Sequence, residues 1–109
     1  MHVFAGIPVA DRDAAVSWYM FGAAPELLPN ESEAAWRVTE RGWVYVVADP
    51  ARAGSALHTL LVDDLDIFLS GLTGRGVQTE PIQTVAGSVR RTSVTDPDGN
   101  VLNIGEPLA

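Results

Sequence analysis

The sequence contains no cysteine, no lysine and few histidines, and each shortage removes a class of function. Its 109 residues include no Cys and two His, and all seven basic side chains are Arg. Without Cys the chain can form neither a disulfide framework, nor a thiol nucleophile, nor a thiolate metal site. The length suits one domain and leaves no room for a second independent core. With 47% hydrophobic and 19% charged residues, the composition is that of a packed globular domain.

Long hydrophobic runs and basic clusters are also missing. The longest apolar runs, such as residues 43–48, fall far short of the ~20 residues that span a bilayer. No basic segment precedes an apolar stretch as in a signal peptide, so we expect a cytoplasmic protein with no membrane partner. A net charge of −7 without a basic stripe argues against a nucleic-acid partner. The same charge is compatible with a neutral or cationic ligand, although acidic solubility is the simpler explanation.

A faint internal repeat divides the chain into two halves of nearly equal length. The segment Val-Ala-Asp-Arg-Asp at residues 9–13 matches Val-Asp-Asp-Leu-Asp at residues 62–66, an offset of 53 (62 − 9). Both aspartates of the first segment keep that offset. Since twice this offset is almost the whole chain, we predict a single domain built from two modules, residues 1–54 and 55–109.

Each module opens with a strand that leads into a helix. Residues 3–9 and 57–62 are rich in β-branched and large apolar side chains, which is typical of strands. Asp11 and Asp64 follow at the position where a helix needs an N-cap, since a carboxylate accepts hydrogen bonds from the free N–H groups of the first turn. The sequence therefore predicts a strand–helix unit at the start of both modules.

Three further strands follow each helix. The apolar spacing after each cap predicts a helix that extends towards Gly22 in the first module and ends at Gly74 in the second. The predicted strands are residues 26–28, 35–39 and 43–48 in the first module and residues 79–84, 88–95 and 101–105 in the second. The segment Asp-Pro-Asp-Gly-Asn at residues 96–100 is the strongest turn signal in the chain. Each module is therefore predicted to follow the order β-α-β-β-β.

The order and spacing of three short motifs resemble those of a known superfamily. The motifs are Ile-Pro-Val-Ala-Asp followed by Trp-Tyr in residues 7–19, Leu-Leu-Val-Asp-Asp-Leu-Asp in residues 60–66 and Thr-Asp-Pro-Asp-Gly-Asn in residues 95–100. They resemble the vicinal-oxygen-chelate superfamily, which includes glyoxalase I, bleomycin-resistance proteins and extradiol dioxygenases. The resemblance, which covers residues 3–105, implies an α+β fold in which two βαβββ modules form a curled, cup-shaped eight-stranded mixed sheet with helices on its convex side. It also implies a ligand in the cup and assembly as a homodimer.

The resemblance further locates the positions at which metal-dependent members hold a divalent cation. They fall on Phe4, Leu57 and Asn103, with a fourth within residues 43–47. None of these residues supplies the imidazole or carboxylate that such a cation needs. His58 is the residue next to the Leu57 position. Because side chains alternate along a strand, His58 points away from the cup unless the strand register shifts by one residue. We therefore predict that the protein holds no metal and no other cofactor.

Several aromatic side chains and one pair of arginines are candidates for contact with a ligand. Trp36 and Trp43 lie on neighbouring predicted strands, and Tyr45 shares the face of Trp43 because side chains alternate along a strand. These rings either form an aromatic wall in the cup, suited to a flat ligand, or fill a dimer interface or cover the sheet. Of Arg90 and Arg91, one must point into the cup and the other away from it.

The leading hypothesis is a homodimeric, metal-free protein that binds a hydrophobic or aromatic compound, as in a resistance role that sequesters a toxic molecule. The residues expected to contact this compound are Phe4, Trp36, Trp43, Tyr45, Leu57, Thr59, Arg90 and Asn103. One alternative is a superfamily enzyme (a lyase, isomerase or dioxygenase-like catalyst) with a non-standard or metal-independent site. Such an enzyme would use His58 as a base and Arg90 or Arg91 to hold an anion. A further alternative is an interaction module with an empty cup.

Overall fold

The chain folds as two consecutive modules with the same order of elements. The computed structural model describes residues 1–21 and 23–108. The first module consists of strand β1 (Val3–Val9), helix α1 (Arg12–Tyr19) and strands β2 (Leu27–Asn30), β3 (Glu33–Thr39) and β4 (Gly42–Ala48). The second consists of strand β5 (Leu57–Leu61), helix α2 (Leu65–Thr73) and strands β6 (Gln83–Val85), β7 (Val89–Thr95) and β8 (Val101–Pro107). The predicted β-α-β-β-β order is confirmed.

Each module forms its own four-stranded mixed sheet. The strand orders are β1-β4-β3-β2 and β5-β8-β7-β6, and the first pair of each sheet is parallel while the others are antiparallel. The expected eight-stranded sheet is therefore two sheets, because no backbone ladder joins β1 to β5 in the described part of the chain. Side chains cross this boundary instead, and Nε2 of His58 lies 2.8 Å from the carbonyl oxygen of Gly6.

Both helices begin at the aspartates that the sequence identifies as caps. The Asp11 carboxylate accepts a hydrogen bond from the backbone N–H of Ala14 at 2.9 Å. The Asp64 carboxylate accepts one from the backbone N–H of Ile67 at 3.0 Å. Because the first-turn N–H groups have no partner within a helix, each cap fixes the residue at which the helix starts.

The carboxyl ends of the helices differ between the modules. Helix α1 ends at Tyr19, where the Arg75 guanidinium donates to the carbonyl oxygen of Tyr19 at 2.7 Å. Gly22, towards which this helix was expected to extend, lies outside the described residues. Helix α2 ends at Thr73 and is followed by Gly74, as predicted. Neither of the two described helices is long and apolar enough to cross a membrane.

The outer strands of the two sheets deviate most from the predicted boundaries. Strand β2 occupies Leu27–Asn30 rather than residues 26–28, and β6 occupies Gln83–Val85 rather than residues 79–84. Every residue of these two strands is exposed, so no alternation between buried and exposed side chains marks where they begin and end.

The helices cover one face of each sheet, and the core lies between the helices and the sheets. Side chains of β1, β4, β8 and both helices meet there and are almost completely buried. The largest of them are Ile7, Val9, Tyr19, Val46, Leu65, Val94 and Ile104. This packing leaves the opposite face of each sheet without a helix against it.

Buried hydrogen bonds join the modules within the one chain. Asn100 is only 1% exposed, and its amide nitrogen donates to the carbonyl oxygen of Pro8 at 2.8 Å. The Tyr19 hydroxyl donates to the Asp96 carboxylate at 2.7 Å. Each bond connects one residue of the first module with one of the second, so the two modules of the chain pack against each other.

Candidate functional site

The candidate site is the face of both sheets that no helix covers, which we call the open face. In β4, Val44 and Val46 are buried under the helix layer, so Tyr45 between them projects to the open face. The same alternation places Phe4 of β1 and Asn103 of β8 on this face.

The first-module half of the open face is apolar and aromatic. A cavity of about 270 Å³ opens there, and it is lined by Phe4, Leu27, Pro29, Glu33, Ala35 and Tyr45. The rings of Phe4 and Trp43 stack with their centroids 5.6 Å apart and their planes at 9°. The Tyr45 ring lies over Gly6, where an added Cβ would come within 2.7 Å of the phenol. Glycine in β1 therefore lets the aromatic ring lie flat on the sheet, and the result is a surface suited to a planar ligand.

The second-module half of the open face is more polar. A cavity of about 280 Å³ is lined by Glu80, Pro81, Gln83, Arg91, Thr92, Ser93 and Asn103. The Ser93 hydroxyl donates to Oδ1 of Asn103 at 2.7 Å, and the amide nitrogen of Asn103 lies 3.5 Å from the Thr59 hydroxyl. A neighbouring cavity of about 230 Å³ shares Arg91 and Asn103 and adds the apolar side chain of Leu61.

Arg91, and not Arg90, projects to the open face. Arg90 lies on the helix-facing side, with Nη2 3.2 Å from the Asp66 carboxylate of α2 and Nη1 3.7 Å from the Glu106 carboxylate. The hydrogen bond to Asp66 and the charge of Asp66 raise the pKa of the Arg90 guanidinium. The expectation that Arg90 contacts a ligand in the cup is therefore corrected, because its charge is engaged on the other side of the sheet.

Trp36 also lies on the side opposite to the one expected. It pairs with Val44 in the β3–β4 register, and it is 3% exposed. Its indole N–H donates to the carbonyl oxygen of Ala23 at 3.0 Å, and its ring packs edge-on against Phe21 with centroids 5.0 Å apart. Trp36 is therefore a core residue under the helix layer and does not line the cup with Trp43.

A solved structure of high sequence identity settles the family. A glyoxalase/bleomycin resistance protein from Catenulispora acidiphila DSM 44928 is 42% identical to this chain, with a TM-score of 0.90 and 97% of both chains covered. The chain belongs to the glyoxalase/bleomycin resistance protein family. The resemblance to the vicinal-oxygen-chelate superfamily is thereby confirmed.

Two further solved structures are similar to this family member. TnmS3, an antibiotic-binding protein from Streptomyces sp. CB03234, is 25% identical with a TM-score of 0.77, and the match covers 98% of this chain and 96% of TnmS3. A bleomycin-binding protein from Streptomyces verticillus shares the fold at 17% identity and a TM-score of 0.70, over 95% of this chain and 93% of its own. Comparisons with protein-family models and with curated proteins gave no match.

The register of the sheets identifies the fourth of the positions at which metal-dependent family members bind their ion. The β1–β4 pairing matches the β5–β8 pairing, so Tyr45 of the first module corresponds to Asn103 of the second. The four positions carry Phe4, Tyr45, Leu57 and Asn103. Two of these side chains have no donor atom, and a phenol with one amide does not fit a divalent cation. Residues 1–21 and 23–108 contain no group of three or more His, Asp or Glu that could hold a metal ion.

His58 lies at the boundary between the modules and not on the open face. It is half-buried and pairs with the buried Leu102, and its ring contacts the Gly6 carbonyl oxygen. The base candidate of the enzyme alternative is therefore not on the open face, whereas Arg91, one of the two arginines named as its anion clamp, is on that face.

Six of the eight residues expected at the site lie on the open face. They are Phe4, Trp43 and Tyr45 in the first module and Leu57, Thr59 and Asn103 in the second. The cavities of this face are also lined by residues that the sequence did not single out, among them Leu27, Pro29, Ala35, Leu61 and Gln83, and by Arg91, which the sequence left as an alternative to Arg90. Gly6 and Gly105 were available signals, since a glycine inside a strand marks a place where another group approaches closely.

Proposed function

We propose that this protein binds a hydrophobic or aromatic small molecule on the open face without a metal. The observation that carries the proposal is the exposure of large apolar side chains where this fold elsewhere holds an ion: Phe4 is 52% exposed and Leu57 is 67% exposed. Water contact at such surfaces is unfavourable by about 25 cal/mol per Å², so a ligand that covers them gains binding free energy.

The similarity to an antibiotic-binding protein supports a sequestering role. TnmS3, which matches nearly the whole chain, is an antibiotic-binding protein. Sequestration needs a complementary surface and no reactive group. On this proposal the protein lowers the free concentration of a toxic compound and leaves the compound chemically unchanged.

Calorimetric titration with flat aromatic compounds tests this function. We expect a neutral three-ring probe, anthracene-2-carboxamide, to bind with 1:1 stoichiometry per chain. Phe4→Ala and Tyr45→Ala each remove one ring of the apolar half, so each should weaken binding by about tenfold or more. Ile67→Ala is the matched control, because Ile67 is 72% exposed on helix α2 and away from the open face.

Other results would contradict the proposal. If no compound of a broad aromatic panel binds or raises the melting temperature, the interaction-module alternative gains. Elemental analysis and titration with Ni, Zn, Mn and Fe test separately whether the protein binds a metal ion. Tight, stoichiometric metal binding that is lost in His58→Ala would show that the site is not metal-free.

We also propose that the protein is a homodimer. Leu28 of the outer strand β2 is 61% exposed, and the free edge of that strand offers unpaired backbone groups beside it. Sedimentation equilibrium should give twice the mass of the chain, and Leu28→Asp should shift the protein towards monomer. A wild-type protein that sediments as a monomer at high micromolar concentration would refute the dimer.

A further inference from the structure

The second-module half of the open face contains a cation, the Arg91 guanidinium, that forms no ion pair with an acidic side chain among the described residues. The ion pairs formed within residues 1–21 and 23–108 engage Arg12, Arg52 and Arg90, but not Arg91. Arg91 lines both cavities of this half. Glu80 lines one of them, yet its carboxylate forms no ion pair with Arg91 in the described part of the chain.

A second hydrogen-bond donor lies beside this cation. Arg91 pairs with Gly105 and Ser93 pairs with Asn103, so Asn103 is the diagonal neighbour of Arg91 across β7 and β8. Diagonal positions of an antiparallel pair are about 7–8 Å apart, within reach of a long side chain. The Ser93 hydroxyl donates to Oδ1 of Asn103, and the amide nitrogen of Asn103 makes only a 3.5 Å contact with the Thr59 hydroxyl, so a weakly engaged N–H₂ group belongs to a side chain that lines both cavities with Arg91.

Apolar side chains surround these donors on the floor of the cavity. An added Cβ at Gly105 would come within 3.2 Å of both Leu61 and Val89, so these two side chains close over the glycine next to Arg91. Charged hydrogen bonds are stronger where apolar groups exclude water. From here the exposed side chains of Leu61 and Leu57 continue the open face towards Phe4.

We propose that Arg91 and Asn103 form a carboxylate subsite and that the ligand of this protein is an aromatic carboxylic acid whose rings lie on the Phe4 side. The inference rests on the proposed small-molecule binding and specifies its ligand class. It departs from the expectation of a neutral or cationic ligand that the net charge of −7 suggested. The local arrangement outweighs the net charge, because charges farther away than about 8 Å are largely screened at physiological ionic strength.

The span between the two halves suits a polycyclic acid. Strands β5, β8 and β7 are neighbours in one sheet, so two intervals of about 4.8 Å separate β5 from β7. Strand β1 contacts β5 without a backbone ladder, where Nε2 of His58 lies 2.8 Å from the Gly6 carbonyl oxygen. The long side chain of Arg91 and a three-ring skeleton together extend over this floor from β7 towards β1.

A matched pair of ligands tests the subsite by calorimetry. Anthracene-2-carboxylate and anthracene-2-carboxamide have the same ring system and differ in the charge of one group. We expect the wild-type protein to bind the carboxylate about tenfold more tightly, as for one partly exposed charge-assisted contact. Arg91→Gln should abolish this preference and leave the affinity for the carboxamide unchanged. Arg41→Gln removes the same charge at the β3–β4 turn, outside the cavities, and should keep the preference.

The other possible results contradict either the carboxylate subsite alone or both proposals. If both compounds bind equally well to the wild-type protein, the carboxylate subsite is wrong and the proposed small-molecule binding stands. If the preference survives Arg91→Gln, or falls equally in Arg41→Gln, the subsite is also wrong. If neither compound binds, both proposals fail. Arg91 is exposed, so the melting temperature of Arg91→Gln should remain that of the wild type.

Discussion

The phenol of Tyr19 is the buried ionisable group on which the two modules converge. It is 2% exposed, and its hydroxyl donates to the Asp96 carboxylate at 2.7 Å. Burial raises the pKa of Tyr19 well above its usual range, and the hydrogen bond to Asp96 and the charges of Asp96 and Asp98 raise it further. The folded state therefore keeps the phenol protonated at a pH where the unfolded chain ionises it.

This shift predicts a loss of stability in alkaline solution. The stabilisation is fully present below the unfolded pKa of about 10 and is lost as pH rises above it, by up to about 1.4 kcal/mol per pH unit. The chain has no Lys and no Cys, so few other groups interfere in this range. Urea unfolding between pH 8 and pH 11 should show this decline in the wild type and in the control Tyr45→Phe.

Tyr19→Phe should remove that decline while it lowers stability at pH 8. The buried Asp96 carboxylate loses one donor in this variant, which costs about 1–3 kcal/mol. It keeps hydrogen bonds from the backbone N–H groups of Asp98 and Asn100, so the variant should still fold. Parallel pH profiles of wild type and Tyr19→Phe would show that the phenol does not control alkaline stability.

At the scale of the elements, the sequence predicted most strands and both helix starts, because their signals are local. Runs rich in β-branched and large apolar residues marked β1 and β5, and a carboxylate one residue before each helix marked the caps. The outer strands β2 and β6 carried no such signal, since all their side chains are exposed. Their boundaries depend on pairing with β3 and β7, which is a tertiary property.

The faces of individual side chains were harder to predict, because they depend on the register across each hairpin. In the β3–β4 pair, Trp36 lies opposite Val44 and Arg37 lies opposite Trp43. The two tryptophans are therefore one position out of step, and they point to opposite faces of the sheet. Because both tryptophans lie near the same turn in the sequence, a shared aromatic wall was suggested. The observed register excludes such a wall.

The same reasoning could have located Arg91 from the sequence. Ser93 pairs with Asn103 across the β7–β8 turn, and Arg91 precedes Ser93 by two residues. The choice of Asn103 as a site residue thus implied Arg91 on the same face and Arg90 on the other. The sequence does not define the exact length of the turn. An error of one residue there moves every side chain of the strand to the opposite face of the sheet.

At the scale of the whole molecule, Asn100 is a buried polar side chain that connects the two modules. Its amide nitrogen donates to the Pro8 carbonyl oxygen and to Asp96, and its Oδ1 accepts from the backbone N–H of Ala56 at 2.9 Å. The backbone groups that it satisfies belong to both modules. Since neither sheet continues into the other, such contacts and the shared core must make the two halves fold together.

We therefore predict that the protein unfolds in a single thermal transition and that Asn100→Ala lowers its melting temperature by more than 10 °C. The substitution leaves buried groups of both modules without partners, at about 2–3 kcal/mol in total, and each kcal/mol shifts the melting temperature of a domain of this size by about 4–8 °C. Asn30→Ala is the control, because the exposed side chain of Asn30 bonds to Ser32 and Glu33 of its own module. It should lower the melting temperature by a few degrees at most. Two separate transitions in calorimetry of the wild type, or equal shifts in the two variants, would mean that the modules are independent units and that Asn100 does not couple them.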